Sequence, residues 1–109
     1  MFEIIAGYDV HDVGKQYHAS QGESLSVSCQ ADGDPQPNVW WSKVQDRTLQ
    51  RIATRGDPDM LTLRGLDSSD AGEYVCQAKN RIGTAEASIH LYVHCKWIPL
   101  QVIQMSNFL

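Results

Sequence analysis

Three cysteines, four histidines and one Arg-Gly-Asp tripeptide are the residues of this 109-residue chain whose types suit chemistry. Cys29, Cys76 and Cys95 allow one internal disulfide and one leftover thiol, and the count alone leaves the pairing open. His90, His94 and Cys95 invite a metal reading. Strand residues four apart are separated by about 13 Å, too far to share one zinc ion, so no metal is expected. Ser, His and Asp are present, but without a nucleophile elbow or another spaced catalytic signature. No glycine-rich loop opens a helix to cradle phosphate. Neither catalysis nor a cofactor is expected. Arg55-Gly56-Asp57 joins a guanidinium suited to bidentate ion pairing to a carboxylate suited to a hard cation, and Gly56 keeps the tip thin. Pro58 restricts Asp57 to extended geometry.

The elements that must position these residues are strands, because period-2 alternation dominates the chain. Leu25, Val27, Cys29 and Ala31 alternate with Ser24, Ser26, Ser28 and Gln30. Ala85, Ala87, Ile89, Leu91 and Val93 alternate with Glu86, Ser88, His90, Tyr92 and His94. Tyr74, Cys76 and Ala78 share one face, and Leu61, Leu63 and Leu66 face inward. Turn residues punctuate these runs at Gln21-Gly22-Glu23, residues 33–37, 55–59 and 67–70, and Asn80-Arg81-Ile82-Gly83 reads as a hairpin connection. Short alternating strands at such spacing imply an all-β sandwich or barrel.

Cys29 and Cys76 both lie on inward faces of separate strands, where facing sheets bring two thiols within bonding reach. Closing that loop restricts the unfolded chain by on the order of 4 kcal/mol in the chain-entropy account. Trp41 shares a strand face with Val39 and can pack on the bridge. Trp40 must then point outward, because neighbouring strand residues face opposite ways. Its face would carry Val75, Gln77, Lys79, Ser88, His90 and Tyr92. Tyr74, two residues before Cys76, is placed to bond backbone at a strand corner.

At these residues the chain resembles the immunoglobulin superfamily, in its I-set or C2-type domains. The matching positions are Cys29, Gly33, Pro35, Pro37, Val39 and Trp41, then Leu61-Thr62-Leu63. They continue through Asp70-Ala71-Gly72-Glu73-Tyr74-Val75-Cys76 to Ala78, Asn80, Gly83, Leu91 and Val93. The resemblance covers about residues 16–94, leaving 1–15 as an N-terminal segment that can include a first strand and 95–109 as a tail or linker. The link from Trp41 to Leu61 is short for a long I-set domain, which argues against a separate D strand. The resemblance implies a two-sheet antiparallel Greek-key sandwich with an inter-sheet disulfide. It also implies a non-catalytic module that binds proteins in cell adhesion or surface recognition. Trp40, Gln77, His90 and Tyr92 are the candidate contact residues, for a homophilic or heterophilic protein partner. Arg55-Gly56-Asp57 is similar to the integrin-recognition tripeptide, in which the aspartate completes the integrin's metal coordination. The competing reading is an ordinary polar turn, favoured because a tripeptide recurs by chance about once or twice in a hundred chains of this size.

Charge narrows the partners. Nine basic and thirteen acidic residues give a net charge of −4, against the concentrated basic face that nucleic acid requires. The first fifteen residues lack a basic n-region, and the last fifteen are too short and interrupted to span a bilayer. An extracellular setting therefore expects an export signal and any membrane anchor on parts of a parent protein outside this segment. The alternative setting is an intracellular cytoskeletal or muscle scaffold, in which the domain is a spacer or docking unit with reduced cysteines. The absence of an Asn-x-Ser/Thr sequon fits that alternative.

Overall fold

A computed structural model describes residues 2–6, 15–53 and 57–95 of the chain. Its strands are β1 (Phe2–Ala6), β2 (Lys15–Ser20), β3 (Leu25–Gly33), β4 (Asn38–Gln45), β5 (Thr48–Arg51), β6 (Met60–Leu63), β7 (Gly72–Lys79) and β8 (Thr84–His94). They form a three-stranded sheet in the order β1-β3-β6 and a five-stranded sheet in the order β2-β8-β7-β4-β5. Neighbours run antiparallel except β2 and β8, which pair in parallel from Lys15↔Ile89 to Ser20↔His94. Among the described residues no D strand intervenes between β5 and β6, in keeping with the short link.

The alternation read from the sequence sets the burial. Val27, Cys29 and Ala31 are buried along β3, and Tyr74, Cys76 and Ala78 along β7. With Trp41, Leu61, Leu66, Ile89 and Leu91 they fill the space between the sheets. Strand register explains how one indole can serve both layers. Trp41 pairs with Cys76 and Val39 with Ala78, so β4 and β7 present the same face to β3.

Two elements were not evident in the residue pattern. β5 is exposed throughout, so burial leaves no alternation in Thr-Leu-Gln-Arg. It exists because Asp46 and Arg47, at φ 50° and 64°, form a two-residue hairpin turn closed by the Gln45↔Thr48 pair. Neither residue is the glycine or asparagine that usually marks such a turn. β2 is an edge strand whose partner lies more than seventy positions further along the chain, so no local turn announces it.

Local hydrogen bonds fix the corners. A 3-10 turn, Ser68–Asp70, opens with a reciprocal capping box: Ser69 N–H donates to the Asp67 carboxylate, and Asp67 N–H donates to Asp70 Oδ2. Those bonds from Ser69, backbone first and hydroxyl second, hold the Asp67 carboxyl below the usual carboxylate range. In the β7–β8 hairpin, Asn80 Oδ1 accepts from the N–H groups of Ile82 and Gly83. Its Nδ2 reaches back 2.7 Å to the Pro35 carbonyl, tying that hairpin to the β3–β4 loop. The Asp34–Pro35 peptide bond in that loop is cis.

Candidate functional site

The inner faces of the two sheets hold the signature residues. Cys29 and Cys76 are joined, with Cα atoms 6.5 Å apart. Trp41 is fully buried beside them, and its indole N–H donates 3.0 Å to the Asp59 carbonyl. The same carbonyl accepts from Cys29 N–H at 2.9 Å, so one backbone oxygen serves both the bridge strand and the indole. Tyr74 is 1% exposed, and its hydroxyl donates to the Asp70 carbonyl across the strand corner. Burial, reinforced by the Asp70 carboxylate, pushes the phenol up to about 12. Gly72 opens β7 at φ +137°, a conformation that strains any side chain, and a Cβ there would meet Lys43 at 3.6 Å. Lys43 Nζ in turn donates to the Ser69 carbonyl and lies 5.5 Å from the Tyr74 ring centroid.

The outer face of the five-stranded sheet is of another kind. Trp40 points outward but is half-buried, because the neighbouring strands β5 and β7 each contribute a side chain to it. The Arg51 guanidinium of β5 lies 4.9 Å from its ring centroid. Its indole N–H donates 3.0 Å to Gln77 Oε1 on β7, and Gln77 Nε2 donates 2.7 Å to Glu86 Oε2 on β8. Ser42, buried next to Trp40, donates to the same Gln77 oxygen at 3.4 Å. The result is a row of linked side chains, Arg51, Trp40, Gln77 and Glu86, running across four strands. Val75 also faces outward by register yet is only 7% exposed, so this face has a partly covered apolar floor. Leu49, 43% exposed, pairs with Val44 on the same side.

His90 and Tyr92 lie elsewhere on that face. Tyr92 is six positions beyond Glu86, about 20 Å along β8. The structure therefore unites Trp40 with Gln77 and separates both from Tyr92. Tyr92 instead joins a ring cluster with His18 of β2 at 4.7 Å and His90 at 4.5 Å between centroids. His18 was not singled out by the sequence, because its place opposite Tyr92 is set by the long-range β2–β8 register. His18 Nδ1 and His94 Nε2 are 2.9 Å apart, with ring planes within 4° and centroids 5.1 Å apart. The difference between those two distances is about two ring radii. The rings are thus coplanar and meet nitrogen to nitrogen, as an N–H···N hydrogen bond requires. Two coplanar ring nitrogens facing each other at 2.9 Å leave no room for a metal ion between them. Among the described residues no group of three or more His, Cys, Asp or Glu could hold one.

Asp57 is exposed at the start of the turn into β6, while Arg55 and Gly56 of the tripeptide lie outside the described residues. Cys95 is exposed and unpaired just past β8.

Comparison with known proteins agrees with this architecture. The immunoglobulin I-set domain model matches residues 9–93. Over 82 residues the chain is 38% identical to neural cell adhesion molecule 1 of Bos taurus, covering 72% of this chain and 10% of that protein. Over 73 residues it is 40% identical to protein sax-3 of Caenorhabditis elegans, covering 66% of this chain and 6% of that one. The chain thus spans a tenth or less of the length of these relatives. Among solved structures, it superimposes on a chain of the titin M10–obscurin-like 1 Ig complex with a TM-score of 0.60. The two are 28% identical, with 72% of this chain and 85% of that chain covered. The chain is a member of the immunoglobulin I-set family, a disulfide-bridged β-sandwich similar in sequence to domains of cell adhesion molecules.

Proposed function

We propose that this domain is a non-catalytic protein-binding module of a cell-adhesion or cell-surface recognition protein, and that it contacts its partner with the outer face of the five-stranded sheet. The row Arg51–Trp40–Gln77–Glu86 carries this reading. An aromatic ring held in place by a cation on one side and a hydrogen bond on the other loses little further freedom on docking. The bridge between Cys29 and Cys76 supports an oxidising, extracellular setting for the parent protein.

Beads coated with multimerised domain provide the test. Their adhesion to cells is measured for the wild type and for Trp40→Ala. Loss of adhesion, with the melting temperature lowered by no more than a few degrees, supports this surface. Undiminished adhesion by the variant rejects it. Any contact made through Arg55-Gly56-Asp57 would respond oppositely, vanishing in Asp57→Ala and surviving Trp40→Ala.

The likeness to the titin M10–obscurin-like 1 complex favours one other reading, a spacer or docking domain of an intracellular cytoskeletal scaffold. Thiol counting on unreduced protein from native tissue separates the two. One free thiol, that of Cys95, fits the extracellular setting, and three fit the cytoplasmic one.

A further inference from the structure

The outer face carries charges that its own chain leaves unmatched. Arg51 rests on the Trp40 ring, Glu86 accepts a bond from Gln77, and Glu73 is exposed. Among the described residues none of the three has an ion-pair partner within the chain. Between the two glutamates lies a polar depression of about 220 Å³, lined by Glu73, Val75, Glu86, Ala87 and Ser88. Register places Arg51 beside Ser42, Ser42 beside Val75, and Val75 beside Ser88. The backbone of Arg51 therefore sits two to three strand spacings from the depression, about 10–14 Å, and its guanidinium is held over the Trp40 ring instead of filling it.

We propose that the depression receives Arg51 of a second copy of this chain, in a two-fold dimer packed outer face to outer face. The proposal rests on this face being the protein-binding surface, and it names the partner. A two-fold axis lying in the interface, parallel to the strands and between β4 and β7, reverses strand order while preserving each row. β5 of one copy then covers β8 of the other, and β4 covers β7. Arg51 arrives above the partner's Ser88, between two carboxylates, and Ser42 meets the partner's Val75. The contact is made twice, as two-fold symmetry demands. Rotating the axis to lie across the strands would set β5 on β5 and guanidinium on guanidinium, so charge selects the first arrangement. Charge also selects the occupant. A purely basic partner would leave Arg51 unmatched, and a purely acidic one would leave Glu73 and Glu86 unmatched, whereas the face complements itself. Trp40, Val44, Leu49 and Val75 supply the apolar area. A face only a few strands wide is small for an interface, so association is weak and concentration-dependent.

Sedimentation equilibrium of the full chain tests this, in a Cys95→Ser background that removes covalent dimers. The wild type is expected to dimerise reversibly, less so at high salt. Arg51→Glu and Glu86→Arg alone are each expected to weaken dimerisation about tenfold or more, since each reversal is counted twice. An equimolar mixture of the two variants restores dimers, because both contacts in the mixed pair are again between opposite charges. A wild type that stays monomeric at every concentration overturns the proposal, as do reversed variants that dimerise like the wild type, or a mixture that fails to recover. If the wild type is monomeric while cell adhesion still depends on Trp40, the binding face stands and the partner is a different protein. If adhesion ignores Trp40, the face itself falls.

Discussion

Trp40 and Trp41 are consecutive residues of one strand, yet they serve opposite purposes. Trp41 faces the core, where its only polar atom has a backbone acceptor and the cluster around it includes both cysteines of the bridge. Trp40 faces a half-covered row in which its polar atom meets a side chain and a cation lies on its ring. The inner face is complete within the chain. The outer face is ordered by the chain but leaves charge and apolar surface uncommitted. A domain that must fold alone and still bind something divides its strands in this way.

The largest effect that could break this contrast comes from truncating each indole. Trp41→Ala opens a cavity and removes one of the two bonds to the Asp59 carbonyl, and should lower stability by about 3–5 kcal/mol. Trp40→Ala removes partly exposed area and one hydrogen bond, and should cost about 1 kcal/mol or less. Chemical denaturation of both variants measures the ratio. Comparable losses would mean that the two faces are not distinct in the way described.

Next in size is the strand corner. Tyr74→Phe deletes the bond to the Asp70 carbonyl and should cost about 1 kcal/mol at neutral pH. The alkaline limb sharpens this. The folded state holds the phenol at about 12, above its ordinary value near 10. Its contribution is therefore complete below pH 10 and is lost as pH rises from about 10 through about 12. The wild type should lose stability over that window more steeply than the phenylalanine variant. Parallel curves would indicate that Tyr74 is not buried as a neutral phenol.

The smallest effect concerns the sheet edge. His94→Ala removes the ring-to-ring bond to His18 on an exposed parallel pair and should cost about 0.5 kcal/mol. It should raise amide hydrogen exchange in β2 without changing exchange in β7. Uniform acceleration across the sheet would show that the β2 edge is not an independent local unit.

Much of the inner face was legible because strand periodicity and burial express the same fact. Val27, Cys29, Trp41, Tyr74, Cys76, Ile89 and Leu91 fall on every-second-residue faces of their strands, and each lies buried where that spacing puts it. The outer face was less legible. Trp40 and Gln77 lie in different strands, and only the β4–β7 register makes them bonded neighbours. Arg51 was invisible because its strand is exposed on both faces and turns on two residues with unusual φ. His18 was invisible because a parallel edge pairing joins distant segments without a turn between them.

The sequence by itself determined the sandwich, the bridge and the direction each tryptophan faces, since alternation with period two leaves one choice of side once a single residue is placed. Tertiary structure alone decided which outward residues touch. Lateral neighbours in a sheet are chosen by strand order and register, and these depend on contacts between segments far apart in the chain. The row from Arg51 to Glu86 and the unmatched charges at its ends belong to that second kind of information.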